Sequence, residues 1–193
     1  LVLRTAPEKE GVPVPSGEAL RGVFLRVAGA NVSAYTDEVS TDPLVPAPPS
    51  PGAITAEAVD TALGTTTWTL SNGVRVILKP TDFKQDEVLV SAWSPGGYSL
   101  APAEDQLNAA LATTLLGLGG VGAFDAIELQ KKLAGQAVEV TPWVGLVQEG
   151  LRGRASPKDL ETLFQLLWLH ATSPRPDTTA FRAFATDVRA APA

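Results

Sequence analysis

A chain that sets Asn72-Gly73 between two β-prone runs, Thr65 to Leu70 and Val74 to Lys79, has little local choice. The tightest hairpin turns need positive φ at their centre, which Asn and Gly supply at the least steric cost, so this spacing predicts an antiparallel hairpin. Pro80 ends the second run. A two-stranded hairpin is marginal alone, so the residues that follow must extend the sheet and cover it. Glu87 to Trp93 reads as a third strand, stopped by Ser94-Pro95-Gly96-Gly97. Residues 104–116 then place Leu107, Ala110, Leu111 and Leu115 at helical spacing, and the glycine-rich run Gly117 to Gly122 is expected to stop that helix.

Asp125 with Glu128 three residues on has the form of a capping box, opening a helix that runs to Gly135. Gln136 to Val144 and Leu146 to Ala155 are strand-like, and Pro142, Gly145, Gly150 and Gly153 within them point to bends or edge positions. Ser156 as N-cap, Pro157 at the first helical position and Asp159 in the first turn open a helix bearing Leu160, Leu163, Phe164, Leu167 and Trp168. After Ser173 to Pro176 a last helix lines up Phe181, Phe184 and Val188. The order β-β-β-α-α-β-β-α-α predicts an α+β fold, a mainly antiparallel sheet with helices packed on one face.

The N-terminal part has a different character. Leu1 to Arg4 suits a strand, and Ser16 precedes Leu20, Val23, Phe24 and Val27 at helical spacing, with Gly29 closing a helix over 17–29. Thr41 to Ala53 carries five prolines, a composition that favours extended backbone without a core. Three parts are therefore expected. Residues 1–40 end a preceding domain with a strand and a helix, 41–63 form a proline-rich linker, and 64–193 form a further domain.

The chemistry open to such a chain is narrow. Among 193 residues there is no cysteine and one histidine, which removes thiolate chemistry and every sulfur-ligated metal site. Zinc held without cysteine needs histidines with carboxylates, usually two histidines a helical turn apart, and His170 has no companion. It reads as a solvent-facing or capping residue favoured by the helix dipole. A formal charge of −6 argues against a nucleic-acid partner, and no apolar run reaches the ~20 residues that span a bilayer. No methionine is present, which suits a piece of a longer protein.

Other motifs have plainer readings. Gly97-Tyr98-Ser99-Leu100-Ala101 approaches a nucleophile elbow, with His170 downstream; yet the second glycine is missing and Pro102 lies before the helix, so Ser99 reads first as part of a loop. Gly117, Gly119 and Gly122 have dinucleotide-motif spacing but follow a helix instead of a strand. Glu104 and Asp105 suit a helix start better than an acid/base pair. The triplet Asn31-Val32-Ser33 is of a kind that arises by chance. Trp68, Trp93, Trp143 and Trp168 lie in apolar stretches and are expected in the core.

The order of these landmarks resembles a known family. Trp68-Thr69-Leu70-Ser71-Asn72-Gly73-Val74-Arg75-Val76-Ile77-Leu78-Lys79 is similar to the opening hairpin of a pitrilysin/insulinase-type zinc metallopeptidase domain. Ser94-Pro95-Gly96-Gly97 resembles that family's glycine turn, and Ser156-Pro157-Lys158-Asp159-Leu160-Glu161 resembles a stretch of its bacterial members, over roughly residues 64 to 185. In an active half the next helix carries His-x-x-Glu-His. Here Glu104 to Thr114 has none of it, so the resemblance is to the half that lacks the motif. It carries over no catalytic, cofactor-binding or metal residue. It implies that zinc belongs to a separate active half of the same polypeptide, that peptide substrate is enclosed between the halves, and that the compartment is periplasmic or extracellular. A small serine hydrolase using Ser99, or a free-standing peptide-binding module, are the alternatives.

Overall fold

The structure, a computed structural model, describes residues 14–31, 33 and 39–190. Within the N-terminal unit the helix α1 (Gly17–Ala28) forms where expected. Ser16 Oγ accepts from the Ala19 amide at 3.1 Å, and Gly29 donates back to the Leu25 carbonyl at 3.2 Å. The expected strand at Leu1 to Arg4, and Val32 of the Asn-Val-Ser triplet, lie outside the described residues.

From Val39 onward the chain forms its own unit. The expected linker at 41–63 is corrected on two counts. First, it contains a strand, β1 (Ile54–Asp60), paired antiparallel with β2 (Thr65–Leu70). Every β1 side chain is exposed; backbone bonding holds it, with no apolar alternation to betray it. Gly64 turns at φ +62°, and Asp60 Oδ1 accepts from Ala62 and Leu63 at 2.9 and 3.0 Å. Second, the proline run is docked: Leu44 is buried, and Lys132 Nζ donates to the Ser40 carbonyl at 3.1 Å. β2 pairs in turn with β3 (Arg75–Leu78) through the expected hairpin, where Gly73 has φ +86° and Asn72 Oδ1 accepts from Val74 at 3.1 Å.

A second three-stranded antiparallel sheet is built from β4 (Val88–Pro95), β5 (Val138–Val144) and β6 (Gln148–Ala155), in the order β4-β6-β5. Helices α2 (Gln106–Gly119) and α4 (Leu160–Thr172) pack against it. α3 (Ala126–Lys132) and α5 (Thr178–Ala190) complete the unit. This is the expected α+β class, with two small sheets and one strand more than expected. The capping box is present, with Asp125 Oδ1 accepting from Glu128 at 2.8 Å and Glu128 Oε2 from Asp125 at 2.9 Å. Helix α3 ends three residues before Gly135, where the chain turns at φ +82°.

The glycines have roles that spacing did not give. α2 does not stop at Gly117 but continues to Gly119, where a β-carbon would collide with the Arg175 carbonyl. One at Gly120 would collide with the carbonyl of Phe124. These crossings bury Val121 completely, beside Leu44, Phe124, Leu166 and Leu169. Gly150 and Gly153 do not mark bends or edges; they lie in the central strand β6. A β-carbon on Gly153 would sit 2.7 Å from Leu163 Cδ1, so its absence lets fully buried Leu163 seat α4 on the sheet. Pro142 does lie on an edge strand, where it breaks no ladder on its outer side.

Ser156 is corrected too: its hydroxyl makes no backbone cap but donates to Asp159 Oδ2 at 2.6 Å. The Ala137 amide donates to the same oxygen at 2.9 Å. Both bonds favour the carboxylate and hold Asp159 below its usual range. The start of α4 is thereby tied to the segment entering β5.

Because Leu163 fills the space a larger residue at 153 would claim, Gly153→Val is expected to lower unfolding free energy by about 1–3 kcal/mol through overpacking. In a urea double-mutant cycle the loss shrinks when Leu163→Ala is present. Additive effects would show that the two positions do not compete.

Candidate functional site

Helix α2 follows β4 through two 3-10 turns, Tyr98–Leu100 and Ala103–Asp105. Glu104 and Asp105 fall in the second turn, and Asp105 Oδ1 accepts from Asn108 Nδ2 at 3.3 Å. The polar groups at the start of α2 are the amides of Gln106 and Asn108, poor donors for zinc. Among the described residues no three His, Cys, Asp or Glu gather in a way that could hold a metal ion. The described residues at the start of α2 do not offer a ligand set for a zinc ion.

His170 lies on α4, half-buried instead of facing solvent, and burial pushes its imidazole below the usual value near 6.5. The cause is desolvation, which disfavours the charged imidazolium. Ser99 is exposed, and its amide donates to the Leu146 carbonyl at 3.0 Å. Among the described residues no hydrogen bond joins its hydroxyl to His170 or any other base. The turn before it is set by packing: Gly97 has φ +89°, and a β-carbon there would collide with the Gly145 carbonyl. The amides of Val121 and Gly122 are likewise spent on Phe124 and Ser173 carbonyls, at 3.0 and 2.8 Å, leaving no cradle for a phosphate.

The arrangement with most chemical character is the second sheet itself. Side chains alternate along each strand, and the ladder aligns them in rows. Val88 and Val90, Gly153 and Ala155, and Val138 and Val140 face the helices. The opposite face presents three rows: Leu89, Arg154 and Glu139; Ser91, Arg152 and Thr141; Trp93, Gly150 and Trp143. Leu89 is 72% exposed and Trp93 60%. Arg154 is occupied, its Nη2 lying 2.9 Å from Glu139 Oε2. Arg152 instead lies over the Trp143 ring at 5.3 Å, and no carboxylate pairs with it among the described residues. The Trp143 indole leans over Gly150, its Cζ2 being 3.0 Å from where a β-carbon would stand. Its Nε1–H is buried and meets no acceptor, so ring contacts hold it there.

The tryptophans thus depart from expectation. Trp93 and Trp168 are exposed, and half-buried Trp68 donates its indole N–H to Glu57 Oε2 at 2.7 Å. Trp93 stands on the face of the second sheet turned away from the helices, whereas Trp168 occupies an exposed position of α4. At the far end of this sheet a cavity of about 350 Å³ is lined by Lys84, Glu87, Glu139, Arg154 and Ser156. Lys84 pairs there with Glu87 at 3.1 Å and Arg154 with Glu139 at 2.9 Å, and Asp86 also lines it.

With this geometry in view, the relationships of the chain are clear. In sequence and in fold it is similar to the pitrilysin/insulinase-type zinc proteases. Over 103 residues, 53% of the chain, it is 33% identical to a PQQL-like zinc protease of Arabidopsis thaliana, spanning 11% of that protein. The fold matches the periplasmic protease PqqL of Escherichia coli with a TM-score of 0.72 at 22% identity, covering 90% of this chain and 19% of that one. It also matches a variant of the ferredoxin protease FusC in complex with Arabidopsis ferredoxin, with a TM-score of 0.64 at 24% identity, over 86% and 18% of the two chains. No protein-family model matches the chain. No helix among the described residues is long and apolar enough to cross a membrane.

His170 supplies a test of the packing under α4. Its folded pKa lies below the unfolded one, so the unfolded chain takes up the proton first. Stability is therefore full above about pH 6.5 and falls as pH drops through that value. Since this is the one histidine of the chain, His170→Gln is expected to flatten the thermal-melting profile between about pH 7.5 and 5.5. An unchanged slope would place the imidazole in water.

Proposed function

We propose that this chain is the non-catalytic part of a larger zinc-dependent metalloendopeptidase, facing the active half and helping to enclose a peptide substrate. The observation that carries this reading is a combination. The chain shares sequence and fold with zinc proteases, yet its α2 helix offers amides and alanines where the active members bear His-x-x-Glu-His. Water activation by zinc needs three protein ligands and a free position, which nothing on α2 supplies. The catalytic ion belongs to a homologous half elsewhere in the polypeptide. A periplasmic setting is part of the proposal, supported by the name of the Escherichia coli relative. One-sided coverage of the sheet by helices suits a domain whose other face meets a substrate or a neighbouring domain.

Two measurements test this. Metal analysis of the purified chain is expected to give substoichiometric zinc, with no cleavage of unfolded peptides; one tightly held zinc per chain, or chelator-sensitive hydrolysis, would overturn the reading. The surrounding coding sequence is expected to contain His-x-x-Glu-His in a homologous domain upstream.

A further inference from the structure

The open face of the second sheet combines features that ask for a particular occupant. Two tryptophans and a leucine stand on it, Trp93 and Leu89 largely exposed. Between their rows lies Arg152, stacked on Trp143 and without a carboxylate of its own. The neighbouring Arg154 has one, in Glu139. A guanidinium held on an indole keeps its edge donors directed outward, in the fork that matches a carboxylate. Within a chain of net charge −6, an unanswered cation between half-buried Trp143 and exposed Trp93 and Leu89 gives this face a polarity opposite to the molecule as a whole. The occupant it fits is acidic and partly apolar.

Spacing narrows the occupant further. Rows on one face are two residues apart along the strand, about 6.6–6.8 Å, and the same repeat governs an extended peptide running over the face along the strands. From the Arg152 row, the Trp93 and Trp143 row lies one repeat away on one side and the Leu89 row one repeat away on the other. We infer that this face, centred on Arg152 with Trp93, Trp143 and Leu89, docks an extended peptide bearing a carboxylate at one position and an aromatic or branched apolar side chain two residues away. This rests on the reading of the chain as the peptide-facing, non-catalytic part of a zinc peptidase, and names the class of peptide it holds. Arg152 grips the carboxylate, and the rings of Trp93 and Trp143 carry the apolar residue.

The test is fluorescence anisotropy with the full chain and a labelled ten-residue peptide containing Asp-Ser-Phe units. Controls are the same peptide with Lys for Asp, one with Ala for Phe, and a single-stranded oligodeoxythymidine. Saturable binding of the Asp-Ser-Phe peptide is expected, weakened about tenfold by loss of either the acid or the ring. Arg152→Glu is expected to invert the preference, so that the Lys peptide binds better than the Asp peptide, an outcome that loss of folding cannot produce. Trp93→Ala weakens both peptides alike, with wild-type melting as control. Absence of saturable binding, equal affinity for Asp and Lys peptides, oligonucleotide binding blocked by Arg152→Glu, or a dimer in sedimentation that hides the face would each overturn the assignment. The two proposals fail separately. If the zinc-bearing longer protein cleaves acidic peptides with a KM unmoved by Arg152→Glu, the face is wrong and the peptidase reading stands. If the chain binds as described but no zinc-bearing half is encoded beside it, the reading falls and the face remains.

Discussion

Leu163 resting on a strand that offers no side chain at position 153 is the contact from which much else follows. An α-helix and a sheet pack about as closely as their smallest facing residues allow, and glycine in the central strand permits an approach that alanine would obstruct. That approach fixes the register of α4 and brings Leu166 and Leu169 to Val121 and Phe124. It also fixes the tie from Ser156 and Ala137 to the Asp159 carboxylate. With one face of the sheet committed to helices, the other is left outside.

How much of this was legible in the chain depends on the range of the interaction. The Asn72-Gly73 hairpin, the Asp125 to Glu128 capping box and the cap at Ser16 were readable because their partners lie within a few residues. β1 was not, because Ile54 to Asp60 has no buried face and forms only by bonding to β2. The proline run was misread as a linker since nothing local says that Leu44 reaches a core built largely from residues 121 to 169. Glycines 119, 120, 150 and 153 answer to backbone and side chains that come from elsewhere in the sequence, so composition marked them only as breakers. Tryptophan size suggested burial; tertiary placement put Trp93 and Trp168 outside.

Candidate chemistry divides along the same line. The expectation that no zinc is held rests on the sequence, in which His170 is the one histidine and there is no cysteine. What the chain has was not plain. Arg152 and Arg154 are two residues apart and alike in sequence, but the ladder sets Glu139 opposite Arg154 and Thr141 opposite Arg152, which reaches diagonally to the Trp143 ring. That difference comes from register, which a one-residue slip would erase.

The outermost strand of this sheet raises one more matter. β4 bonds to β6 along one side, and its other side pairs with no strand among the described residues. Its sequence, Val-Leu-Val-Ser-Ala-Trp-Ser-Pro, has no ionised group, whereas β5, at the opposite margin, is interrupted by Pro142 and carries Glu139. Strand margins without a charge, and with proline only at their end as Pro95 is here, can nucleate intermolecular cross-strand growth. Handled by itself, the polypeptide is thus prone to precipitate through β4, and a lysine in place of solvent-facing Ser91 is the economical remedy for preparing it at high concentration.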